Sequence, residues 1–134
     1  MIRTEHLSKH FGPLVVLKDI STEISKGEII SVIGPSGTGK STFLRCLNLL
    51  EAPTGGSIFI DNIPMLGKHT DVPKLRQRMG MVFQSFNLYA HLPVLENLTL
   101  GPIKLLGKKR SVAEKKAMEL LKLVGLAEKA ESFP

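Results

Sequence analysis

The sequence is poor in the residues that mark several large classes of protein. It has one cysteine and no tryptophan, so an internal disulfide is excluded and the composition suits a reducing compartment. No uncharged apolar run reaches the length of about 18 residues that a membrane-spanning helix needs. The first residues also lack the apolar centre of a secretory signal. We therefore expect a globular domain without disulfides, signal or membrane span.

Charge is present but not patterned for nucleic acid. The 134 residues carry a net charge of +6, which would suit nucleic acid or an anionic membrane surface. Aromatic residues are only 5% of the chain, and none interleaves with a basic stripe as in single-strand binders. The basic clusters at 108–110 and 115–116 lie on or beside a predicted helix that carries Glu114 and Glu119. We interpret them as a solvated helix face and expect no nucleic-acid partner.

The most informative segment is 34–41, Gly-Pro-Ser-Gly-Thr-Gly-Lys-Ser. It follows 28–33, an apolar and β-branched run that predicts a buried strand, and precedes 42–50, which is apolar at helical spacing. Strand, glycine loop and helix form the context in which this pattern is typical of a phosphate-binding loop. The alternative is a glycine turn followed by a surface lysine, and the flanking elements argue against it.

Each residue type in this loop has a chemical reason. Three glycines allow backbone angles that other residues resist, so the loop amides can form a nest for an anion at the positive end of the next helix. The lysine can reach the β- and γ-phosphates, and the serine hydroxyl can bind Mg²⁺. We therefore predict ATP or ADP binding with Mg²⁺ by Gly34, Pro35, Ser36, Gly37, Thr38, Gly39, Lys40, Ser41 and Thr42.

Strands are predicted mainly in the first half of the chain. Residues 2–7 and 15–24 alternate roughly between apolar and polar, with a turn at 11–13. Residues 57–62 predict a further strand, and 80–84 a brief buried one.

Helices are predicted mainly in the second half. After a short helix at 73–78, two helical segments at 94–100 and 103–106 are expected to be separated by Gly101 and Pro102. A capping box from Ser111 to Glu114 predicts the start of a last helix, whose apolar face holds Leu120, Leu121 and Val124 and which stops at Gly125.

The spacing of Phe11, the loop and the segment 81–84, Met-Val-Phe-Gln, resembles that of a known family. The chain looks like the N-terminal portion of an ABC transporter ATP-binding subunit, and the run 83–98 resembles the polar amino-acid importer branch. The resemblance implies an α/β fold, the ABC-type nucleotide-binding domain of P-loop NTPases, here incomplete. It would comprise an N-terminal antiparallel β subdomain and the P-loop strand and helix within 1–91, and the start of the helical subdomain in 92–134.

The resemblance also implies roles outside the loop. Phe11 would stack on adenine with Val16 as a lesser apolar wall, and Gln84, the Q-loop glutamine, would join Ser41 at Mg²⁺. From the residues alone, Phe11 is better explained as a turn aromatic on a small β core, and Gln84 could simply be the end of a strand. The segment from Ser85 to His91 would meet integral membrane permease subunits, although its aromatics could instead belong to the core.

As a whole, the resemblance implies the ATP-binding subunit of an importer for polar amino acids, peripheral on the cytoplasmic face of the cell membrane. It would pair with a second ATP-binding subunit and serve a substrate-binding protein indirectly. The family's signature loop, Walker B acid and switch histidine do not occur in these residues. We therefore assign no catalytic residue and expect this chain alone not to hydrolyse ATP.

Two alternatives stay open. One is a nucleotide-binding remnant without turnover. The other is a different P-loop NTPase, such as a small-molecule kinase, for which Arg76 and Arg78 would be the lid arginines. By the resemblance, the family's Walker B strand lies beside the strand that leads into the loop, so we also expect exposed apolar strand edges.

Overall fold

A computed structural model describes all 134 residues, which form two compact units, Met1–Met81 and Val82–Pro134. The first unit holds β1 (Ile2–Phe11), β2 (Leu14–Ile24), α1 (Lys40–Leu47), β3 (Gly55–Ile60), β4 (Ile63–Pro64) and α2 (Val72–Arg76). The second holds α3 (Val94–Lys104), α4 (Arg110–Leu123) and a 3-10 turn at Ala127–Lys129. None of these helices has the length and apolar character needed to cross a membrane.

The first unit is built on a four-stranded antiparallel sheet in the order β2-β1-β3-β4. The central strand β1 pairs on both sides, so that Ile2 faces Ile24 of β2 and Ile60 of β3. Gly12, with φ of 56°, forms the turn between β1 and β2 together with Pro13. The predicted hairpin and the predicted strand near residue 58 are both formed.

A bulge in β1 decides which of its side chains face the core. His6 and Asp19 both adopt φ of 51°, and His6 Nδ1 lies 2.6 Å from Asp19 Oδ1. The register with β2 shifts between Thr4 and Leu7, as expected where one strand carries an extra residue. The alternation of buried and exposed side chains along β1 is therefore offset by one residue after the bulge, and Leu7 and Lys9 are buried there.

The core of this unit lies between the sheet and α1. Phe43, Cys46 and Leu47, spaced as one helical face, pack with buried side chains of the sheet and of the chain that follows it. The remaining buried members are Leu7, Leu17, Ile58, Ile60, Met65 and Leu75. Burying one such side chain contributes about 1.5–3 kcal/mol, so this cluster is the main stabilising feature of the unit.

Two predicted strands are wrong. Neither 28–33 nor 80–84 forms a strand, and Ile29, Ile33 and Val82 are 94%, 91% and 99% exposed. A strand needs a neighbour for its N–H and C=O groups, and no other segment of this chain pairs with either run. The apolar pattern of each run reflects only a local preference for extended structure. A hydrogen-bonded strand also needs a partner segment elsewhere in the chain. Apolar residues are exposed in both runs, but they lie outside any strand rather than at the expected strand edges.

The second unit contains the helices α3 and α4, which pack against each other, and the buried residues of α4 are Ala113, Ala117 and Leu121. The predicted break at Gly101 and Pro102 is wrong, because α3 runs through both to Lys104. Pro102 stands in the last turn of α3, where its missing N–H leaves a single carbonyl unpaired within the helix. The amide of Leu105 donates to Gly101 O at 2.9 Å and closes the turn.

The predicted capping box at Ser111 is also wrong. Helix α4 begins at Arg110, so its N-cap is Lys109, two residues before Ser111, and Lys109 makes no side-chain cap hydrogen bond. Glu114 instead accepts from Arg110 Nε at 2.6 Å, a pairing of residues four apart on one face. At the other end the prediction is confirmed, since Gly125 adopts φ of 72° just past the helix. Leu120 and Val124, expected on the apolar face, are 46% and 64% exposed.

Candidate nucleotide-binding site

The glycine loop connects the irregular run 28–33 to the start of α1. Gly34, Gly37 and Gly39 have φ of 151°, 82° and 94°. At Gly39 a side chain is excluded by space as well, because an added Cβ would lie 2.9 Å from Val16 Cγ1 and from Val16 O. Glycine at this position therefore lets the end of the loop lie directly against β2.

Two side chains of the loop hold its own backbone. Lys40 Nζ donates to Gly34 O at 2.8 Å and to Pro35 O at 2.5 Å, while Thr38 Oγ1 donates to Pro35 O at 2.9 Å. These bonds curl the loop around the lysine ammonium. The two carbonyl oxygens would repel an anion, and the ammonium offsets them, so the curled loop presents net positive potential.

The start of α1 adds to this potential. Lys40, Ser41 and Thr42 form its first turn, where backbone N–H groups have no partner within the helix. No acidic residue stands in that turn, and the aligned peptide dipoles place partial positive charge there. The arrangement suits a phosphate group bound by amides and one ammonium.

The two residues predicted to hold the base have different surroundings. Val16 packs against Gly39 and is partly buried against the core of the first unit. Phe11, the last residue of β1, is 45% exposed, and the Lys9 ammonium lies 4.6 Å from its ring centroid. In the structure Val16 thus lies against the loop, whereas the Phe11 ring lies against the buried Lys9, which the sequence analysis missed.

The predicted Mg²⁺ ligands are Ser41, at the start of α1, and Gln84, an exposed residue of the second unit. No group of three or more histidine, cysteine, aspartate or glutamate side chains could hold a metal ion by itself. Ser41 offers one hydroxyl oxygen, so Mg²⁺ fits here as an ion shared with nucleotide phosphates, as it commonly is in proteins. The role of Gln84 stays a prediction.

Arg76 and Arg78, the arginines that a kinase would need near the phosphates, are engaged elsewhere. Arg76 donates to Asn48 O at 2.8 Å and Leu49 O at 2.6 Å, beyond the C-terminal end of α1. Arg78 pairs with Asp61. The opposite ends of an eight-residue helix are about 12 Å apart, so Arg76 lies away from the loop.

The segment from Ser85 to His91 exposes large apolar side chains. Phe86 is 90%, Leu88 48% and Tyr89 53% exposed. Asn97 of α3 holds the segment: its Oδ1 accepts from Tyr89 N at 2.8 Å, and its Nδ2 donates to Tyr89 O at 3.1 Å and Leu92 O at 2.9 Å. The sequence analysis missed this clamp, whose one local sign is an asparagine in the first turn of a helix.

The family assignment follows from comparison with known proteins. The profile of the ABC transporter family matches residues 17–134. The chain belongs to the ABC transporter family. The predicted fold class, part of an ABC-type nucleotide-binding domain, is confirmed by the solved structures described below, whereas phosphate binding by the curled loop stays a prediction.

Three curated ABC proteins illustrate the likeness. The chain is 51% identical to the arginine transport ATP-binding protein ArtM of Bacillus subtilis. It is 48% identical to the glutamine transport ATP-binding protein GlnQ and to the glutamate/aspartate import ATP-binding protein GltL, both of Escherichia coli. Each match covers 100% of this chain and 56% of the relative. The chain therefore spans about half the length of these relatives.

Solved ABC structures agree. Two dimeric structures of the cassette MJ0796, one in a post-hydrolysis state bound to ADP and Pi, superpose with TM-scores of 0.87 and 0.88 at 36% and 37% identity. Both matches cover 100% of this chain and 62% of the solved chain.

Proposed function

We propose that this chain is the nucleotide-binding portion of the ATP-binding subunit of an ABC importer for polar amino acids. The relatives named above serve arginine, glutamine and glutamate/aspartate transport, at 48–51% identity. The observation that carries the proposal is the loop closed on Lys40, with its glycine pressed against β2. The kinase alternative is disfavoured because Arg76 is bonded to the chain after α1 and Arg78 is paired with Asp61.

In this proposal the loop from Gly34 to Thr42 holds the phosphates of ATP. Lys40 exchanges one loop carbonyl for a phosphate oxygen, an exchange favoured because hydrogen bonds between charged partners are stronger than those to neutral carbonyls. Ser41 provides an oxygen for Mg²⁺, with Gln84 as a second contributor. Phe11 and Val16 hold the adenine, with Phe11 stacking on one face of the base.

The wider assembly is proposed on the same footing. Exposed aromatic and aliphatic side chains between Ser85 and His91 suit an interface, here with integral membrane permease subunits at the cytoplasmic face of the cell membrane. A second ATP-binding subunit would complete each nucleotide site, and a substrate-binding protein would take part indirectly. Residues 1–91 would serve the nucleotide and 92–134 would begin the helical subdomain.

Isothermal titration calorimetry with Mg²⁺-ATP tests the proposal. Wild type and Lys26→Ala, a surface lysine in a turn, should bind alike, whereas Lys40→Ala should lose measurable binding. A further variant, Thr38→Val, removes one loop hydrogen bond but keeps the ammonium, and so separates loop geometry from charge; it should retain more affinity than Lys40→Ala. Equal affinity of wild type and Lys40→Ala would refute the proposal.

A further inference from the structure

Lys9 is a buried lysine, which proteins rarely tolerate without partners. Its side chain is only 9% exposed, and its ammonium lies 2.6 Å from Glu51 Oε1. It also donates to Ala52 O at 2.7 Å. The segment that provides these acceptors is fixed to β1, because Thr54 N donates to Ser8 O at 2.9 Å. The ammonium is therefore held in place from two sides.

The third neighbour of this ammonium is the ring of Phe11. The bulge at His6 buries Lys9, and residues two apart on a strand face the same side, so Phe11 follows on that side. Its ring centroid is 4.6 Å from Lys9 Nζ. An ammonium at this distance over a ring face is attracted to it, more strongly where water is excluded.

Phe11 needs such a contact because it ends a strand and is 45% exposed. An exposed aromatic ring beside a turn can populate several rotamers, and a ligand that requires one of them must offset the entropy of selecting it. A fixed cation on one face favours one orientation in advance and leaves the other face for a base. It also withdraws electron density from the ring, which favours stacking on an electron-rich base.

We propose that Lys9 is a positioning residue for base recognition: its ammonium, anchored by Glu51 and Ala52, holds the Phe11 ring in the orientation that stacks on adenine. This inference rests on the proposed function. It assigns to a residue outside the phosphate loop a part in distinguishing a nucleotide from a bare phosphate chain.

The test compares two ligands, Mg²⁺-ATP and Mg²⁺-tripolyphosphate, which share the phosphate chain but not the base. We expect Lys9→Met to weaken ATP binding about three- to tenfold and to leave tripolyphosphate binding unchanged. Lys9→Arg, which keeps a cation over the ring, should restore ATP affinity to within about twofold. Lys18→Met, an exposed lysine on β2, is the matched control and should change neither affinity.

A cycle with Phe11→Ala separates the two proposals. If Lys9 acts through the ring, Lys9→Met should have no further effect on ATP affinity once Phe11 is alanine. Equal loss in both backgrounds, or equal weakening of tripolyphosphate, would overturn the positioning role in favour of a structural one. Unchanged ATP affinity in Phe11→Ala would instead refute the proposed base contact, and positioning with it.

Two further variants keep the test decisive. If Lys9→Met does not fold, Lys9→Gln replaces it, since its amide can still donate to Ala52 O, and the same loss specific to ATP is expected. Glu51→Gln removes the ion pair but leaves the ammonium bonded to Ala52 O, so ATP affinity should change less than in Lys9→Met. A larger loss in Glu51→Gln would contradict the inference.

Discussion

Replacing Gly39 by alanine tests whether the loop depends on its approach to β2. The new Cβ would stand 2.9 Å from Val16 Cγ1 and Val16 O, and 3.1 Å from Leu17 Cδ2. A side-chain methyl can give way, but Val16 O belongs to a strand paired with β1. Gly37 is the matched control, because its φ of 82° is also left-handed whereas nothing lies within 4 Å of its Cβ position.

The magnitudes separate the two variants. An alanine in the left-handed region costs about 1–2 kcal/mol, and this cost applies to both positions. Overpacking costs about 1–3 kcal/mol more, and it applies to Gly39 alone. We therefore expect a loss in the free energy of unfolding of about 2–5 kcal/mol for Gly39→Ala and about 1–2 kcal/mol for Gly37→Ala.

Cys46 provides an assay confined to the unit that contains the loop. It is fully buried on α1, and burial raises the pKa of its thiol, so a pulse of thiol reagent labels it only when that unit opens. With an m-value of about 2 kcal/mol per molar urea, a difference of about 2 kcal/mol in the free energy of unfolding separates the urea midpoints of Gly39→Ala and Gly37→Ala by about 1 M. Gly39→Ala unfolding at or above the midpoint of Gly37→Ala would refute the packing argument.

Three further outcomes are expected. In single-turnover assays with γ-labelled ATP, the chain alone should hydrolyse ATP no faster than its Lys40→Ala variant, because none of its residues is assigned to position the attacking water. A clearly faster rate would show that hydrolysis does not require the family's signature loop, Walker B acid and switch histidine. Asn97→Ala should raise amide hydrogen exchange at Tyr89, which loses the Oδ1 acceptor 2.8 Å from its amide, while Asn87→Ala should not. A hydrogen bond and the charge of the N-terminal amine lower the pKa of Asp61 from 3.8, with Arg78 contributing. The stability that Asp61 provides is therefore present above pH 3.8 and lost as pH falls through its lower folded pKa, so Asp61→Asn should flatten the acid limb of stability against pH, and an unchanged limb would contradict this.

Features whose cause is local could be predicted from the sequence. The β1–β2 hairpin follows from Gly12 and Pro13, and the end of α4 from Gly125, because each of these residues imposes its own backbone geometry. The conformation of the glycine loop belongs to the same class, since its glycines and the hydrogen bonds of Thr38 and Lys40 act within seven residues of chain; phosphate binding by the loop stays a prediction.

Features that depend on a distant partner were predicted wrongly or missed. The bulge at His6 is fixed with Asp19, and Lys9 is buried because Ala52 O, far along the chain, accepts a hydrogen bond from its ammonium. The start of α4 was misplaced for a local reason, because Glu114 pairs with Arg110 four residues earlier, and spacing alone does not rank this pairing against the capping role. In each case the structure depends on which of several possible partners a side chain contacts. The pattern of residues in the sequence does not determine that partner.

The run before the loop shows that closure of the loop does not require this run to form a strand. Residues 29–33 have the composition of a strand, yet in this chain they border an open apolar cavity of about 700 Å³ lined by side chains such as Ile20, Val32 and Leu44. The loop is nevertheless closed, because its geometry is set by Lys40 and by the packing of Gly39 on Val16. Phosphate binding should therefore depend on the loop and on the β1–β2 hairpin beneath it. The apolar run should instead affect how further elements pack on the sheet.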